Sequence, residues 1–232
     1  MRCGLFGKLP VKRDFIAVYA PRTLLDAFEP WMQSSISASR EILKENWQQA
    51  YLTAPIWRFW LGADICRATV VGALMSSLDG IGRYYPLMVF AVAEEETAIP
   101  PPDLDAQDAW FSAAEAFLLS TLDRDISYEA ITSSLDRLAA PATQSLQSTS
   151  DRIPSIKPGS VAAVAGDLSF SALCSLFRTI NHASVYAAAS FWWTVGGGDY
   201  SPAGLSCRGM PDPFLYTGML TGRFKTSFEP NG

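Results

Sequence analysis

Histidine and clustered basic residues are scarce in this sequence of 232 residues, and their scarcity excludes several classes of protein. His182 is the only histidine, so a histidine-based metal site, which needs two or three imidazoles, is excluded. A Ser-His-Asp or Cys-His catalytic set would have to use the same residue. Its position at the end of a predicted helix favours a structural imidazole. Lysine and arginine form no cluster and the formal net charge is −5, so no nucleic-acid partner is expected.

Close cysteine pairs and long apolar runs are also missing. The four cysteines, which are Cys3, Cys66, Cys174 and Cys207, lie far apart with no CxxC pair. This spacing argues against a zinc site or a disulfide scaffold and predicts reduced, mostly buried thiols. No apolar run approaches the roughly 20 residues of a membrane span, and residues 1–10 contain no signal core. We therefore predict a cytoplasmic protein without direct membrane insertion.

The composition is that of a folded domain with a large core. Hydrophobic residues make up 49% of the chain and charged residues 18%, the reverse of a disordered protein. A chain of this length buries roughly 70% of its unfolded surface. We predict a single domain over residues 1–232, with a mobile surface loop at about 140–160, where Ser, Thr, Pro and Gln are frequent.

Periodicity predicts alternating strands and helices. Strands are predicted at residues 2–6, 56–61, 68–75, 87–93 and 184–195 and near Ser206. Helices are predicted from Pro21, with a break or kink at Pro30, from Asp105 or Asp108 to Leu122, and over residues 128–138, 168–180 and 213–220. Near-continuous apolar strands suit a sheet that is covered on both faces. The predicted fold class is therefore α/β, a layered α/β(α) sandwich with a mixed β-sheet flanked by helices.

Motifs for catalysis or cofactor binding are not convincing. Residues 4–8 resemble a phosphate loop, but two residues rather than four separate the glycines, and Leu9 follows the lysine. Residues 196–198, three glycines, predict a flexible hairpin or loop. The scattered carboxylates Asp103, Asp105, Asp108, Asp123 and Asp125 are interpreted as helix caps or solvated groups. We assign no catalytic, cofactor-binding or metal-binding residue and expect a non-enzymatic protein without a cofactor.

Five charged residues stand within otherwise apolar, glycine-punctuated segments: Lys8, Asp14, Arg58, Asp79 and Arg83. A buried charge is costly unless it is paired, so such residues often form mutual ion pairs. Two interpretations stay open. The residues form either a structural network that holds the strand ends or the polar floor of a protein-binding groove.

Aromatic residues lie beside these charges, and four of them are candidate anchors for a partner: Trp57, Tyr84, Trp192 and Trp193. Adjacent residues of a strand point to opposite faces. Either Trp192 or Trp193 is therefore covered by a helix layer or available as an anchor. Burial in the core is the favoured interpretation for both tryptophans.

The same segments resemble the TagF family, accessory proteins of the bacterial type VI secretion system. The resemblance rests on residues 4–10 (GLFGKLP), 14–15, 31–33, 54–59, 190–193 and 209–211 and, most specifically, on residues 72–87 (GALMSSLDGIGRYYPL). It runs from about residue 4 to about residue 222, with a weakly matched middle. Arg13 and Ser76 depart from the Gly and Pro that are usual in the family, and both changes affect local loop shape.

The resemblance implies a repressor that acts after translation on assembly of the secretion system, by a route that is independent of threonine phosphorylation. It also implies a protein partner, the forkhead-associated scaffold protein of that system. Two alternatives remain. One is a phosphate- or nucleotide-binding enzyme that uses Lys8, Asp79 and Arg83, and the other is a structural subunit of the apparatus.

Overall fold

The computed structural model describes residues 1–123, 125–146 and 169–224. Its strands are β1 (Cys3–Gly7), β2 (Ile16–Val18), β3 (Trp57–Leu61), β4 (Val70–Met75), β5 (Leu87–Val92), β6 (Thr97–Ala98), β7 (Gln144–Ser145), β8 (Ala189–Thr194) and β9 (Ala203–Arg208). Its helices are α1 (Arg22–Leu43), α2 (Trp47–Thr53), α3 (Ala63–Cys66), α4 (Asp108–Ser120), α5 (Tyr128–Arg137), α6 (Phe170–Val185) and α7 (Leu215–Thr221). A 3₁₀ turn at Lys44–Asn46 joins α1 to α2.

Seven strands form one sheet in the order β2-β1-β5-β4-β3-β8-β9, and β6 pairs with β7 separately. The predicted layered α/β fold is confirmed. The prediction of a mixed sheet, with both parallel and antiparallel strands, is wrong, because every described pair is antiparallel. Connections of 8 to 11 residues reverse the chain between β3 and β4, between β4 and β5 and between β8 and β9, whereas a parallel pair needs a crossover of about a dozen residues or more.

Both faces of the large sheet are covered, so the strands contribute to two cores. Helices α1, α2 and α7 pack on the face that contains Phe59 and Trp192. Helices α4 and α5 pack on the opposite face, against Trp60 and Val89. Because alternate residues of a strand point to opposite faces, strands that are buried on both sides have apolar side chains throughout.

Helix α1 continues through Pro30 for 22 residues, so of the predicted break or kink at that residue the break is wrong. Proline lacks an N–H and leaves the carbonyl of Asp26 without its helical partner. Asp26 and Pro30 are both exposed, so water can hydrate this carbonyl. Phe28 and Met32 are buried on the opposite side of the helix and hold it against the sheet.

The carboxyl-terminal half of the described chain differs from the prediction in its boundaries. Helix α6 extends to Val185 and the strand begins only at Ala189, because an apolar run does not distinguish a helix end from a buried strand. Elsewhere in the chain, the short strands β2, β6 and β7 and helix α3 were not predicted. The glycine turn is confirmed as a hairpin, since Gly197 and Tyr200 exchange backbone hydrogen bonds of 3.0 Å. Residues 147–160 of the predicted mobile loop lie outside the described residues.

The described part of the chain contains no helix that is long and apolar enough to cross a membrane. Over the same residues, no group of three or more His, Cys, Asp or Glu side chains is placed to hold a metal ion. The four cysteines are free thiols, in agreement with the prediction. Cys3 and Cys66 are buried, but Cys174 is exposed.

Candidate functional site

Three of the five predicted charged residues meet at one end of the sheet. We call this the loop end, where β1, β4 and β8 finish and β3, β5 and β9 begin. Lys8 directly follows β1, while Asp79 and Arg83 lie in the loop between β4 and β5. The fully buried Asp79 carboxylate accepts from Lys8 Nζ at 2.9 Å and from Arg83 Nε at 2.7 Å.

The hydrogen-bonding capacity of Asp79 is used by Lys8 and by donors of its own loop. Its second carboxylate oxygen accepts from the backbone amides of Ile81 (3.1 Å) and Arg83 (2.9 Å). Burial alone would raise the pKa of Asp79, but the hydrogen bonds from Lys8, Arg83 and Ile81 outweigh it and hold the pKa well below its ordinary value. Asp79 is therefore a fixed anion that organises the loop.

Neighbouring groups fix the same loop to β1 and α2. Ser77 Oγ donates to the Lys8 carbonyl at 2.8 Å, and the Tyr51 hydroxyl donates to the Ser77 carbonyl at 3.0 Å. Gly7 has φ +132°, and a Cβ at that position would lie 2.0 Å from the Pro86 carbonyl oxygen. Only glycine allows the two backbones to approach so closely.

Arg58 belongs to a different network, on the face of the sheet that α4 and α5 cover. Its buried guanidinium donates two hydrogen bonds to Glu115 of α4, of 2.6 and 3.1 Å, and a third to Asp108 at 3.3 Å. Asp14 is exposed and forms no ion pair among the described residues. The predicted group of five is thus one triad, one separate arginine network and one solvated carboxylate.

The candidate aromatic anchors divide in the same way. Trp57 is buried and donates its indole N–H to the Met219 carbonyl at 2.9 Å, and Trp192 is fully buried. Neither can contact a partner while the domain stays folded, so neither is an anchor, and the favoured interpretation of Trp192 as a core residue is confirmed. Tyr84 is half-buried and packs edge-on against Trp47, with a centroid separation of 5.5 Å. Trp193 is half-buried and lines a surface depression.

The remaining candidates have structural partners. His182 is buried in α6, with Nδ1 2.8 Å from the Thr179 carbonyl oxygen. Asp103 accepts from the Tyr186 hydroxyl at 2.8 Å. Asp105 accepts from the Gln107 amide, and Asp123 accepts from the Asp125 amide. Helix α4 begins at Asp108, with Gln107 rather than an aspartate in the capping position.

An apolar groove at the loop end was not predicted. It has a volume of about 390 Å³ and is rimmed by four large side chains that are each about half exposed: Leu52, Leu119, Leu122 and Val195. They come from α2, from α4 and the residues after it, and from the residue after β8, so no sequence window brings them together. Glu115 is the one charged residue that lines the groove.

A second depression, which we call the trough, lies along the edge of the sheet. Its volume is about 410 Å³, and Trp193 and Phe191 of β8 form its floor beside Gly204 and Ser206 of β9. Pro102 closes one side. The trough and the groove are neighbours along β8, because Val195 of the groove lies two residues after Trp193 of the trough.

The fold and the two depressions define a three-layer α/β/α domain with apolar surface at one end and one edge. Residues 4–138 match the model of the TagF N-terminal domain, described as type VI secretion system-associated. Because this match spans more than half of the sequence, the chain belongs to that family, and the predicted resemblance is confirmed.

A solved structure extends the similarity beyond the matched domain. The chain is similar to the crystal structure of PA0076 from Pseudomonas aeruginosa PAO1, with 27% sequence identity and a TM-score of 0.79. The alignment covers 99% of both chains, so it includes β8, β9 and α7, which lie outside the family match. A search of curated proteins finds no match.

Proposed function

We propose that this protein is a non-enzymatic regulator that represses type VI secretion after translation by binding a component of the secretion system. Its proposed partner is the forkhead-associated scaffold protein, which the TagF resemblance implies, and its proposed location is the cytoplasm. The observation that carries the proposal is the groove at the loop end. Four half-exposed apolar side chains from three separate parts of the fold converge there.

Such convergence is typical of a protein contact surface. Single exposed apolar residues are ordinary, whereas a contiguous group around a depression marks a site of interaction. Phe15 and Ile81, in the loops beside the triad, are also more than half exposed. These loops add apolar surface at the same end of the sheet.

The triad supports binding better than catalysis. A general base or a phosphate site needs a group that is free to meet the substrate, and both oxygens of Asp79 are occupied by Lys8, Ile81 and Arg83. In this proposal the triad holds the loop in the shape that a partner recognises. Arg83, with a side chain that is 55% exposed, is the member that can also contact the partner.

Secretion measured in the bacterium tests this function. A strain that lacks the protein is complemented with the wild type, with Leu119→Gln or with Leu146→Gln. Leu119 rims the groove and is 54% exposed; Leu146 is 55% exposed and follows β7, away from the loop end. The identical change at nearly equal exposure makes Leu146→Gln a matched control.

We expect deletion to raise type VI secretion into the medium. The wild type and Leu146→Gln should restore repression, whereas Leu119→Gln should not, at equal protein levels. Unchanged secretion after deletion would contradict the repressor role. Full repression by Leu119→Gln would show that the groove is not the contact surface.

A further inference from the structure

Strand β9 is an edge of the seven-stranded sheet and pairs only with β8 among the described residues. The Gly209 amide donates to the Ala188 carbonyl at 2.7 Å. In an antiparallel pair, alternate residues exchange backbone bonds with the neighbour. Counting back from Gly209, every second residue of β9 pairs with β8, and the residues between them direct N–H and C=O groups away from the sheet. These free-edge residues are Gly204, Ser206 and Arg208.

The side chains of the free-edge residues also lie on the face that contains the trough. Gly204 stands opposite Trp193 and Ser206 stands opposite Phe191. Because glycine and serine are small, the two aromatic rings stay accessible beside the open edge. Among the described residues, the heavy atom nearest to a Cβ at Gly204 would lie 3.8 Å away, so this part of the fold leaves the space beside Trp193 open.

The two edges of the sheet differ in how they are protected. Proteins commonly protect an edge strand by making it short or by placing charges or proline in it. Strand β2 has three residues, whereas β9 has six and carries a single charge, Arg208. Within the described part of the chain, these outward amide and carbonyl groups have no backbone partner, and their spacing is complementary to another strand.

We propose that β9 is a docking edge for an extended segment of the partner protein, which adds an eighth strand to the sheet. The segment pairs its backbone with Gly204, Ser206 and Arg208. It places an aromatic or large aliphatic side chain in the trough against Trp193 and a carboxylate beside Arg208. This inference rests on the proposed function, because it describes how the same partner is held.

The position of both depressions on one hairpin supports a single partner. The β8–β9 hairpin lines both, since its strands form the floor of the trough and Val195, Gly196 and Gly197 line the groove. A segment that runs along β9 therefore leads to the groove at the loop end. Strand addition supplies backbone hydrogen bonds, and the pockets for alternate side chains supply the specificity.

A proline substitution on the free edge tests the pairing directly. Ser206→Pro removes one outward N–H, and an edge strand accepts proline where the N–H faces solvent. Ser206→Ala keeps that N–H and is the matched control. In titrations with the forkhead-associated scaffold protein, we expect Ser206→Ala to bind as the wild type does and Ser206→Pro to bind about tenfold or more weakly.

Amide hydrogen exchange of the wild-type protein gives a second readout that does not depend on any variant. Exchange at the free-edge residues, Gly204, Ser206 and Arg208, should be fast in the free protein and slow in the complex. The amides of Leu205 and Cys207 should be protected in both states, because they already pair with β8. This alternating pattern distinguishes strand addition from general shielding of the surface.

Each outcome separates the two proposals. If the wild type binds and the proline and alanine variants have equal affinities, or if free-edge exchange is unchanged in the complex, strand addition is overturned and the proposed function stands. If the wild type does not bind the scaffold protein, the proposed function loses its partner and strand addition falls with it. If the free-edge amides become protected from exchange as the protein's own concentration rises, without the scaffold protein, two copies of the chain pair through β9. That result would overturn the proposal that a segment of the partner pairs there.

Discussion

Replacing Asp79 with asparagine removes the charge of the triad and almost none of its volume. Asparagine Oδ1 can still accept from the Ile81 and Arg83 amides, but its NH₂ group would face the donors of Lys8 and Arg83. Lys8 is buried and would lose its counter-charge. Leaving one partner of a buried pair uncompensated costs about 3–5 kcal/mol.

We expect the lower end of that range, about 3 kcal/mol, because Arg83 is half exposed and water can reach the edge of the site. In a domain of this size, the loss lowers the melting temperature by about 6–12 °C. Chemical denaturation and thermal melting at pH 7 measure the change. Asp14→Asn, an exposed carboxylate in the loop that precedes β2, is the control and should stay within about 0.5 kcal/mol of the wild type.

The pH dependence follows from the lowered pKa of Asp79. Its folded-state pKa lies below the unfolded value of about 3.9, so the stabilisation is complete at neutral pH and is lost as pH falls through and below that value. The stability difference between wild type and Asp79→Asn should therefore be constant from about pH 8 to pH 5 and should shrink below about pH 4.

A double-mutant cycle tests whether the lost stability of Asp79→Asn comes from the unpaired charge of Lys8. Once the anion is gone, Lys8→Met removes an unpaired buried cation, so the second substitution should cost at least about 1 kcal/mol less in the Asp79→Asn background than in the wild type. If Asp79→Asn is as stable as Asp14→Asn, or if the two triad substitutions are additive, the triad does not hold the loop.

Three further predictions concern the rest of the fold. Glu115→Gln leaves the buried Arg58 without its main counter-charge and should lower the free energy of unfolding by about 2–4 kcal/mol in urea titrations. Gly7→Ala forces a Cβ into a backbone carbonyl at positive φ and should reduce the yield of folded protein or the melting temperature sharply. In thiol labelling, the exposed Cys174 should react first, whereas Cys66, with a pKa raised to about 12 by burial, should react only on unfolding.

The results that would contradict these predictions are equally direct. Wild-type stability of Glu115→Gln would mean that Arg58 needs no counter-charge. A Gly7→Ala protein with wild-type melting would show that the chain relaxes easily at that position. Labelling of Cys66 at the rate of Cys174 in the native protein would mean that the core around α3 opens readily.

The sequence predicted the strands and helices, which depend on local pattern, and missed the features that form where residues from distant parts of the chain come together. Strands β3, β4 and β5 and helices α4 and α5 follow from runs of apolar residues with clear periods, and their bounds differ by one or two residues at most ends. The pairing of Lys8, Asp79 and Arg83 was anticipated because buried charges need counter-charges. The separate position of Arg58 could be seen only from the packing of the helices on the sheet, since its partner Glu115 lies on α4.

The groove and the free edge lie beyond sequence reasoning for a physical reason. Leu52, Leu119 and Val195 are far apart in the chain, and an exposed leucine has no sequence signal that separates it from a buried one. The order of strands in the sheet is likewise set by long-range pairing, so the edge position of β9 could not be derived from residues 203–208. The adjacent tryptophans were ambiguous until the sheet showed Trp192 in the core and Trp193 at the trough.

The most direct test of the central claim is a calorimetric titration of the forkhead-associated scaffold protein, phosphorylated and unphosphorylated, into the wild-type protein and the Leu119→Gln and Leu146→Gln variants. We expect saturable binding of both forms of the scaffold protein to the wild type and to Leu146→Gln. Binding to Leu119→Gln should be roughly tenfold weaker, because an apolar side chain no longer fills the interface. If the wild type does not bind, the scaffold protein is not the partner. If all three proteins bind with equal affinity, the groove is not the contact surface.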